Sequence, residues 1–163
     1  MPEYHFRPIT RADFPMVARW LSAPHIDGWW GPAEVELPLI EEELAAPHID
    51  MCIVTHRGHP FAYLQDYPAE HYGAPQYAGY RRARAIDVFL GDPAFLGQGH
   101  AAGFLAQRAD ELLSAGAKAV VVDPDPANAR AIRTYAKAGF EKGAVTPCED
   151  GNDVQVMYRR LDA

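Results

Sequence analysis

Two segments of the chain carry residues whose types and spacing could do chemistry. The first is Leu96-Gly97-Gln98-Gly99-His100-Ala101, which follows an apolar stretch and opens a run with helical spacing. Glycines let a backbone approach a ligand closely and aim successive N–H groups at it. A helix N-terminus adds partial positive charge, so such a segment could cradle an anion like a pyrophosphate. An ordinary loop with two turn glycines also accounts for it. It is not a Walker loop, because no Gly-Lys-Ser/Thr follows, and it lacks the third glycine of the dinucleotide fingerprint. The second segment runs Asp123-Pro124-Asp125-Pro126-Ala127-Asn128 and continues to Tyr135-Ala136-Lys137-Ala138-Gly139-Phe140. It reads as a strand ending in Asp123, a turn, Asn128 near a helix start, and Tyr135 two helical turns on. A phenol there could act as a proton donor, or could pack on the apolar face between Ile132 and Gly139.

The elements that must position these groups follow from periodicity and punctuation. Tyr4–Pro8 reads as a strand. Asp13 is a plausible N-cap, with Pro15 in the first turn and Phe14, Val17, Ala18 and Leu21 on one helical face. Residues 22–31 read as a loop or irregular helix, and Pro38 opens a short helix through Ala46. Met51–Thr55 and Phe61–Gln65 read as strands joined by Arg57-Gly58-His59-Pro60. Pro68–Tyr80 is a long loop, a length common among binding loops. Ala85–Leu90 is a buried strand, and Ala101–Ala115 a helix with Phe104, Leu105, Ala109 and Leu112 inward. Ala119–Val122 has the continuous apolar character of a fully buried strand. Asn128–Ala138 is a helix stopped by Gly139. Val145–Pro147 and Val154–Tyr158 form a hairpin around Asp150-Gly151-Asn152. This order gives a mixed α/β or α+β domain around one central sheet.

Taken together, the two segments resemble the GCN5-related N-acetyltransferase (GNAT) superfamily. Its glycine turn, Gln/Arg-x-x-Gly-x-Gly/Ala, binds the pyrophosphate of acetyl-CoA. Gly99 and Ala101 match the last two places, while Leu96 stands where Gln or Arg is usual. The run from Asn128 through Tyr135-x-Lys137-x-Gly139-Phe140 is the more specific match. Within the superfamily the chain is most similar to the aminoglycoside 6′-N-acetyltransferases. The residues are His25-Ile26-Asp27-Gly28-Trp29-Trp30-Gly31, Tyr63-Leu64-Gln65-Asp66-Tyr67, Ala85-Ile86-Asp87 and Asp123-Pro124-x-Pro126-x-Asn128. The His…Trp and Asp-Pro…Asn features also resemble siderophore-pathway lysine or hydroxylysine acyltransferases.

The resemblance implies one domain over residues 1–163, with a central mixed, mostly antiparallel, twisted sheet flanked by helices. It implies acetyl-CoA as co-substrate and direct attack by a primary amine in a ternary complex. Gly97, Gln98, Gly99, His100, Ala101, Asn128 and Lys137 are the implied cofactor-binding residues. A backbone N–H at Phe89 or Leu90 is expected to polarise the thioester carbonyl. Asp87 is placed beside the acceptor amine as base or anchor, and Tyr135 as the acid for the departing thiolate. Asp66 and Asp123, with Trp29 and Trp30, are the candidate acceptor-binding residues; Glu149 and Asp150 lie in reach of the same role. Acids would receive a polycation, and indoles would offer flat apolar surface with an N–H handle. A lysine-type acceptor carries a carboxylate and should instead require a basic group, such as Arg81, Arg82 or Arg84. A non-catalytic acyl-CoA-binding module is the third reading, and the pairing of Asp87 with Tyr135 counts against it.

Composition bounds these readings. The chain has 163 residues, 48% hydrophobic and 23% charged, ordinary for a globular protein. Lys+Arg number 15 against Asp+Glu 22, a net charge of -7 that argues against nucleic acid as partner. Two cysteines make neither a disulfide framework nor a zinc quartet, and Cys52 reads as a buried strand residue. His25, His48 and His59 are dispersed, so no metal is expected. The N-terminal residues have no signal-peptide pattern, and no apolar run approaches a spanning helix. The expectation is a cytoplasmic enzyme without a membrane partner, a monomer or homodimer acting on a small-molecule amine.

Overall fold

Strand β1 (Tyr4–Pro8) is followed by helices α1 (Phe14–Leu21) and α2 (Ala33–Glu43), then strands β2 (Asp50–His56), β3 (His59–Pro68) and β4 (Ala83–Leu90). Helix α3 (His100–Ser114), β5 (Ala119–Val122), α4 (Ala129–Lys137), β6 (Glu141–Pro147) and β7 (Asp153–Arg160) complete the order. The structure is a computed structural model that describes residues 3–161. The seven strands form one sheet in the order β1-β2-β3-β4-β5-β7-β6. It is mixed: β1/β2, β2/β3, β5/β7 and β6/β7 are antiparallel, and β4/β5 is parallel. A parallel pair needs a long crossover, and α3 supplies it. Among the described residues no helix is long and apolar enough to cross a membrane.

The chain divides into two compact units, residues 1–66 with 87–100, and residues 67–86 with 101–163. In the first unit, β1, β2 and β3 form an antiparallel meander. The β2–β3 connection is the two-residue turn Arg57-Gly58, both at positive φ (51° and 80°), as a turn matching strand twist requires. Alternating faces of β2 and β3 bury Ile53, Val54, Phe61, Ala62, Tyr63 and Leu64 completely or nearly so, and α1 buries Val17, Trp20 and Leu21. Just past β4, a Cβ at Gly91 would lie 2.2 Å from the Trp20 ring, so only glycine fits there. In the second unit, Ala69, Tyr77, Ala83, Ala85, Ala119, Val121, Val154 and Val156 form one core cluster, in which small alanines leave room for the Tyr77 ring. β5 is buried at all four positions, as its parallel pairing and continuous apolar sequence require.

Several expected boundaries shift. α2 begins at Ala33, with Pro32 at its N-cap, and Pro38 lies inside the helix instead of opening it. β3 continues to Pro68, three residues beyond the expected Gln65, with Asp66 paired in register to Asp50 of β2. The expected binding loop after Pro68 contains a 3-10 turn at Pro75–Tyr77 whose Gln76 and Tyr77 are buried.

Candidate active site

In the first unit, Asp87 lies on β4 and is held by a neighbouring strand residue. Gln65 on β3 donates from Nε2 to Asp87 Oδ2 at 2.9 Å. The Tyr63 hydroxyl donates to Gln65 Oε1 at 2.5 Å. Tyr63 and Gln65 are two residues apart and so share a face of β3. Burial pushes the Tyr63 phenol far above its ordinary value, and the charge of Asp87 adds to this. Trp30 packs edge-on against Phe89 at 4.9 Å and Tyr63 at 6.2 Å, while Trp29 is 51% exposed. His25 Nε2 donates to the Leu90 carbonyl at 2.8 Å, tying the loop before α2 to the end of β4. The Phe89 side chain is thus occupied by packing, and any role of Phe89 or Leu90 toward a thioester falls to the backbone.

The glycine turn closes the same unit. Asp92 accepts the Ala94 N–H at 2.9 Å and caps a 3-10 turn over Pro93–Phe95. The chain then passes Gly97 (φ 72°) and Gly99 (φ 81°), both in the left-handed region, and a Cβ at either would meet no atom within 4 Å. Glycine is required there by backbone conformation, and the space beside it is open. The Gln98 side chain folds back onto the Ala94 carbonyl at 2.6 Å. The His100 ring accepts or donates at 2.9 Å to the Tyr4 hydroxyl and packs near His56, Phe61 and Phe95. What remains for an anion is main chain: the first four N–H groups of α3, from His100 and Ala101 onward, have no intrahelical partner.

The second unit holds the other candidates. Asp123 follows β5, and Gln76 Nε2 donates to it at 3.0 Å and to Glu149 at 3.1 Å. Gln76 is 94% buried by its 6% exposure, and its Oε1 has no hydrogen-bond partner among the described residues. The Gln155 N–H donates to the Pro124 carbonyl at 2.8 Å, pinning the turn that carries Asp123. Asn128 is the N-cap of α4, its Oδ1 accepting the Ala131 N–H at 3.1 Å. Tyr135 is buried on α4, its ring 5.8 Å from Phe140 in an edge-on contact. Lys137 is exposed in the last turn of α4, where its charge complements the helix dipole. Among the described residues no three His, Cys, Asp or Glu side chains are grouped to hold a metal.

Residues 10–146 match the acetyltransferase (GNAT) domain family. The chain belongs to that family. This GNAT acetyltransferase is 30% identical over 164 residues to an aminoglycoside N(6′)-acetyltransferase type 1 of Klebsiella pneumoniae, covering 94% of this chain and 82% of the relative. A relative of the same description from Serratia marcescens matches equally. Among solved structures, aminoglycoside acetyltransferase AAC(6′)-Ib in complex with parmomycin and acetyl-CoA superposes with a TM-score of 0.83. It is 30% identical, with 97% of this chain and 93% of that one covered. The same enzyme with coenzyme A and kanamycin gives 0.84 at 29% identity, covering 96% and 94%.

One expected site residue of the acetyltransferase is misplaced. Asp66 is not at a strand end facing an acceptor; it lies inside β3 with 0% exposure, opposite Asp50 in register. The error follows from ending β3 too early. Three residues that the sequence did not single out hydrogen-bond within the candidate groups: Tyr63 and Gln65 in the first unit, and Gln76 in the second. The first two carry a signal, a Tyr and a Gln on one face of a strand otherwise apolar. Gln76 carries none, because burial of a loop glutamine is decided by contacts distant in sequence.

Proposed function

We propose that this acetyltransferase, acting in the cytoplasm, transfers the acetyl group of acetyl-CoA to a primary amine of an aminoglycoside, at its 6′ position. The observation that carries the acceptor class is the Gln76 site. Two carboxylates, Asp123 and Glu149, meet one amide whose buried carbonyl oxygen lacks a donor. An ammonium brings three N–H donors and a positive charge, which is what that set lacks. The whole-length likeness to aminoglycoside acetyltransferases supports the same class.

The amine nitrogen attacks the thioester carbonyl carbon, so that an N–C bond forms and the C–S bond breaks. An alkylammonium has an ordinary pKa of about 10.4 and must first give up a proton. A carboxylate with an ordinary pKa of about 3.9 is a weak base, so Asp87 chiefly holds and orients the amine and passes its proton to water. As the intermediate collapses, the nitrogen gives up its second proton by way of Asp87 to water, and the departing thiolate takes a proton from the Tyr135 phenol, which recovers one from solvent. The N-terminal N–H groups of α3 hold the pyrophosphate of acetyl-CoA.

The test is an acceptor screen with acetyl-CoA, following thiol release and product mass for kanamycin-like aminoglycosides, linear polyamines and lysine-type amines. Aminoglycosides should release thiol fastest, with acetylation at the 6′ amine. Acetylation of lysine-type amines without aminoglycoside turnover would overturn the acceptor class and leave the family untouched.

A further inference from the structure

We infer that Gln65 and Tyr63 are positioning residues for the transfer: they form a one-way donor chain that fixes the Asp87 carboxylate toward the acceptor amine. The inference rests on the reading above, in which Asp87 receives that amine.

The argument begins with amide orientation. A glutamine side chain presents an acceptor at one corner and two donors at the other, and its neighbours decide which faces which. Here Gln65 Oε1 faces the Tyr63 hydroxyl at 2.5 Å, and Nε2 faces Asp87 Oδ2 at 2.9 Å. The reverse orientation would set the amide oxygen against a carboxylate oxygen, two acceptors face to face. Only a protonated Asp87 could satisfy it. The Asp87 carboxylate settles the choice: when ionised it only accepts, so it takes the Nε2 donor and leaves Oε1 to the phenol. Tyr63 is fully buried, and its proton is held more tightly than an ordinary phenol's by burial first and by Asp87's charge second. It therefore keeps its proton and can give Gln65 Oε1 its hydrogen bond. Its ring cannot swing away, because Trp30 lies edge-on at 6.2 Å and Phe89 tilted at 5.4 Å.

The chain Tyr63 O–H to Gln65 C=O, then Gln65 N–H to Asp87 carboxylate, runs in one direction only. It occupies one carboxylate oxygen with a neutral donor and thereby restricts rotation of the group. It adds no charge that would compete with an incoming ammonium. An arginine at position 65 would hold Asp87 more strongly, but would neutralise the charge that the amine must meet.

The experiment compares Gln65→Leu, Gln65→Glu and Tyr63→Phe with Asp87→Asn. It reads kcat, the KM for each substrate, and the melting shift on adding acetyl-CoA. Gln65→Leu should lower kcat by about tenfold to a hundredfold, the range of one charge-assisted hydrogen bond. Its acetyl-CoA KM and ligand-induced melting shift should stay at wild-type values. Gln65→Glu keeps the shape but turns a donor into an acceptor, and should lose as much or more. Tyr63→Phe leaves the amide free to turn over and should lose about threefold to tenfold in kcat. The Tyr63→Phe/Gln65→Leu pair should be no worse than Gln65→Leu alone, because the phenol acts only through the amide.

A structural role would lower melting temperatures and leave kcat of the folded protein unchanged. Wild-type kcat in folded Gln65→Leu, or additive kcat losses in the pair, overturns the inference. If Gln65→Leu fails to fold, Tyr63→Phe and Gln65→Glu decide the matter by the same readouts. Failure of the underlying reading looks different. A wild-type protein that acetylates no aminoglycoside, or a fully active Asp87→Asn, removes the acceptor or the role of Asp87 itself, and the inference falls with it.

Discussion

Two aspartates of this protein are each gripped by a glutamine, and the grips differ. Asp87 accepts from Gln65 at 2.9 Å, and Asp123 accepts from Gln76 at 3.0 Å. In the first set the glutamine carbonyl is itself satisfied, by the Tyr63 hydroxyl, so the network is closed. In the second, one amide serves two carboxylates and its own buried carbonyl has no partner among the described residues. A closed network fixes a geometry. An open one holds a buried acceptor at a cost of about 1–3 kcal/mol until a donor arrives. The difference teaches that the same pair of residue types can build a closed network in one place and an open one in another, and the proposal gives the first an aiming role and the second a receiving one. A carboxylate that must be aimed at a reacting atom needs the first; a carboxylate that binds a distant amine of a polycation tolerates the second.

The comparison predicts different kinetic signatures, and the largest belongs to the closed set. Asp87→Asn should cut kcat by about a hundredfold or more with little change in acetyl-CoA affinity, because it removes the group that meets the reacting amine. Unchanged kcat would deny the closed set any part in the chemistry. Tyr135→Phe should show a loss of similar order, about a hundredfold in kcat, since only the proton donor goes. Full activity would return Tyr135 to packing against Phe140.

The open set should respond in KM. Asp123→Asn should raise the aminoglycoside KM by about tenfold and leave kcat nearly intact, since it weakens binding shared by ground and transition states. That KM should also rise with salt, because an attraction open to solvent is screened over about 8–10 Å. A kcat effect without a KM effect would erase the distinction between the two sets.

The smallest expected effect comes from a third aspartate, which serves as a purely structural control. Asp13 accepts both Arg7 guanidinium N–H groups at 2.8 Å and the Thr10 N–H at 2.9 Å. The Arg7 pairing holds its carboxyl below the usual carboxylate range, against the opposing pull of burial. A lowered folded value means the stabilisation is complete above the unfolded value of about 3.9 and is lost as pH falls through the folded one. Asp13→Asn should therefore cost about 1 kcal/mol near pH 7, allowing for the exposure of Arg7, and progressively less as pH falls through the folded value. Thermal melts across that range check it, with kcat and KM unchanged throughout. A constant destabilisation at every pH would show that the ion pair contributes nothing.

Much of this molecule is legible in its sequence, for reasons that can be named. Val17 and Leu21 fall on one face by helical spacing, β5 is apolar at every position, and Gly139 stops α4; each signal is local. Gly97 and Gly99 mark a turn whose positive φ only glycine adopts at low cost. Asn128 stands where an N-cap must stand, and the segment from it to Phe140 carries the family resemblance. What the local pattern misjudged was decided by neighbours in space. β3 ran past Gln65 and drew Asp66 inside, because β2 offered Asp50 as its partner in register. Pro38 sits within α2, although proline's missing N–H makes it a better helix opener.

The sequence by itself determined the element order, the glycine turn at the head of α3, and the two residues, Asp87 and Tyr135, on which the proposed chemistry depends. The first two follow from side-chain periodicity and backbone conformational preference, which act over a few residues; the two residues follow from the family resemblance alone. Only the tertiary structure decided what surrounds each acidic group. Asp66, Asp87 and Asp123 are the same residue type; the first two lie within β3 and β4, and the third just past β5. One is buried within the sheet, one accepts from Gln65, which in turn accepts from Tyr63, and one shares Gln76 with Glu149. A carboxylate's role depends on burial and on the donors around it, and those donors come from residues 22 to 73 positions away along the chain.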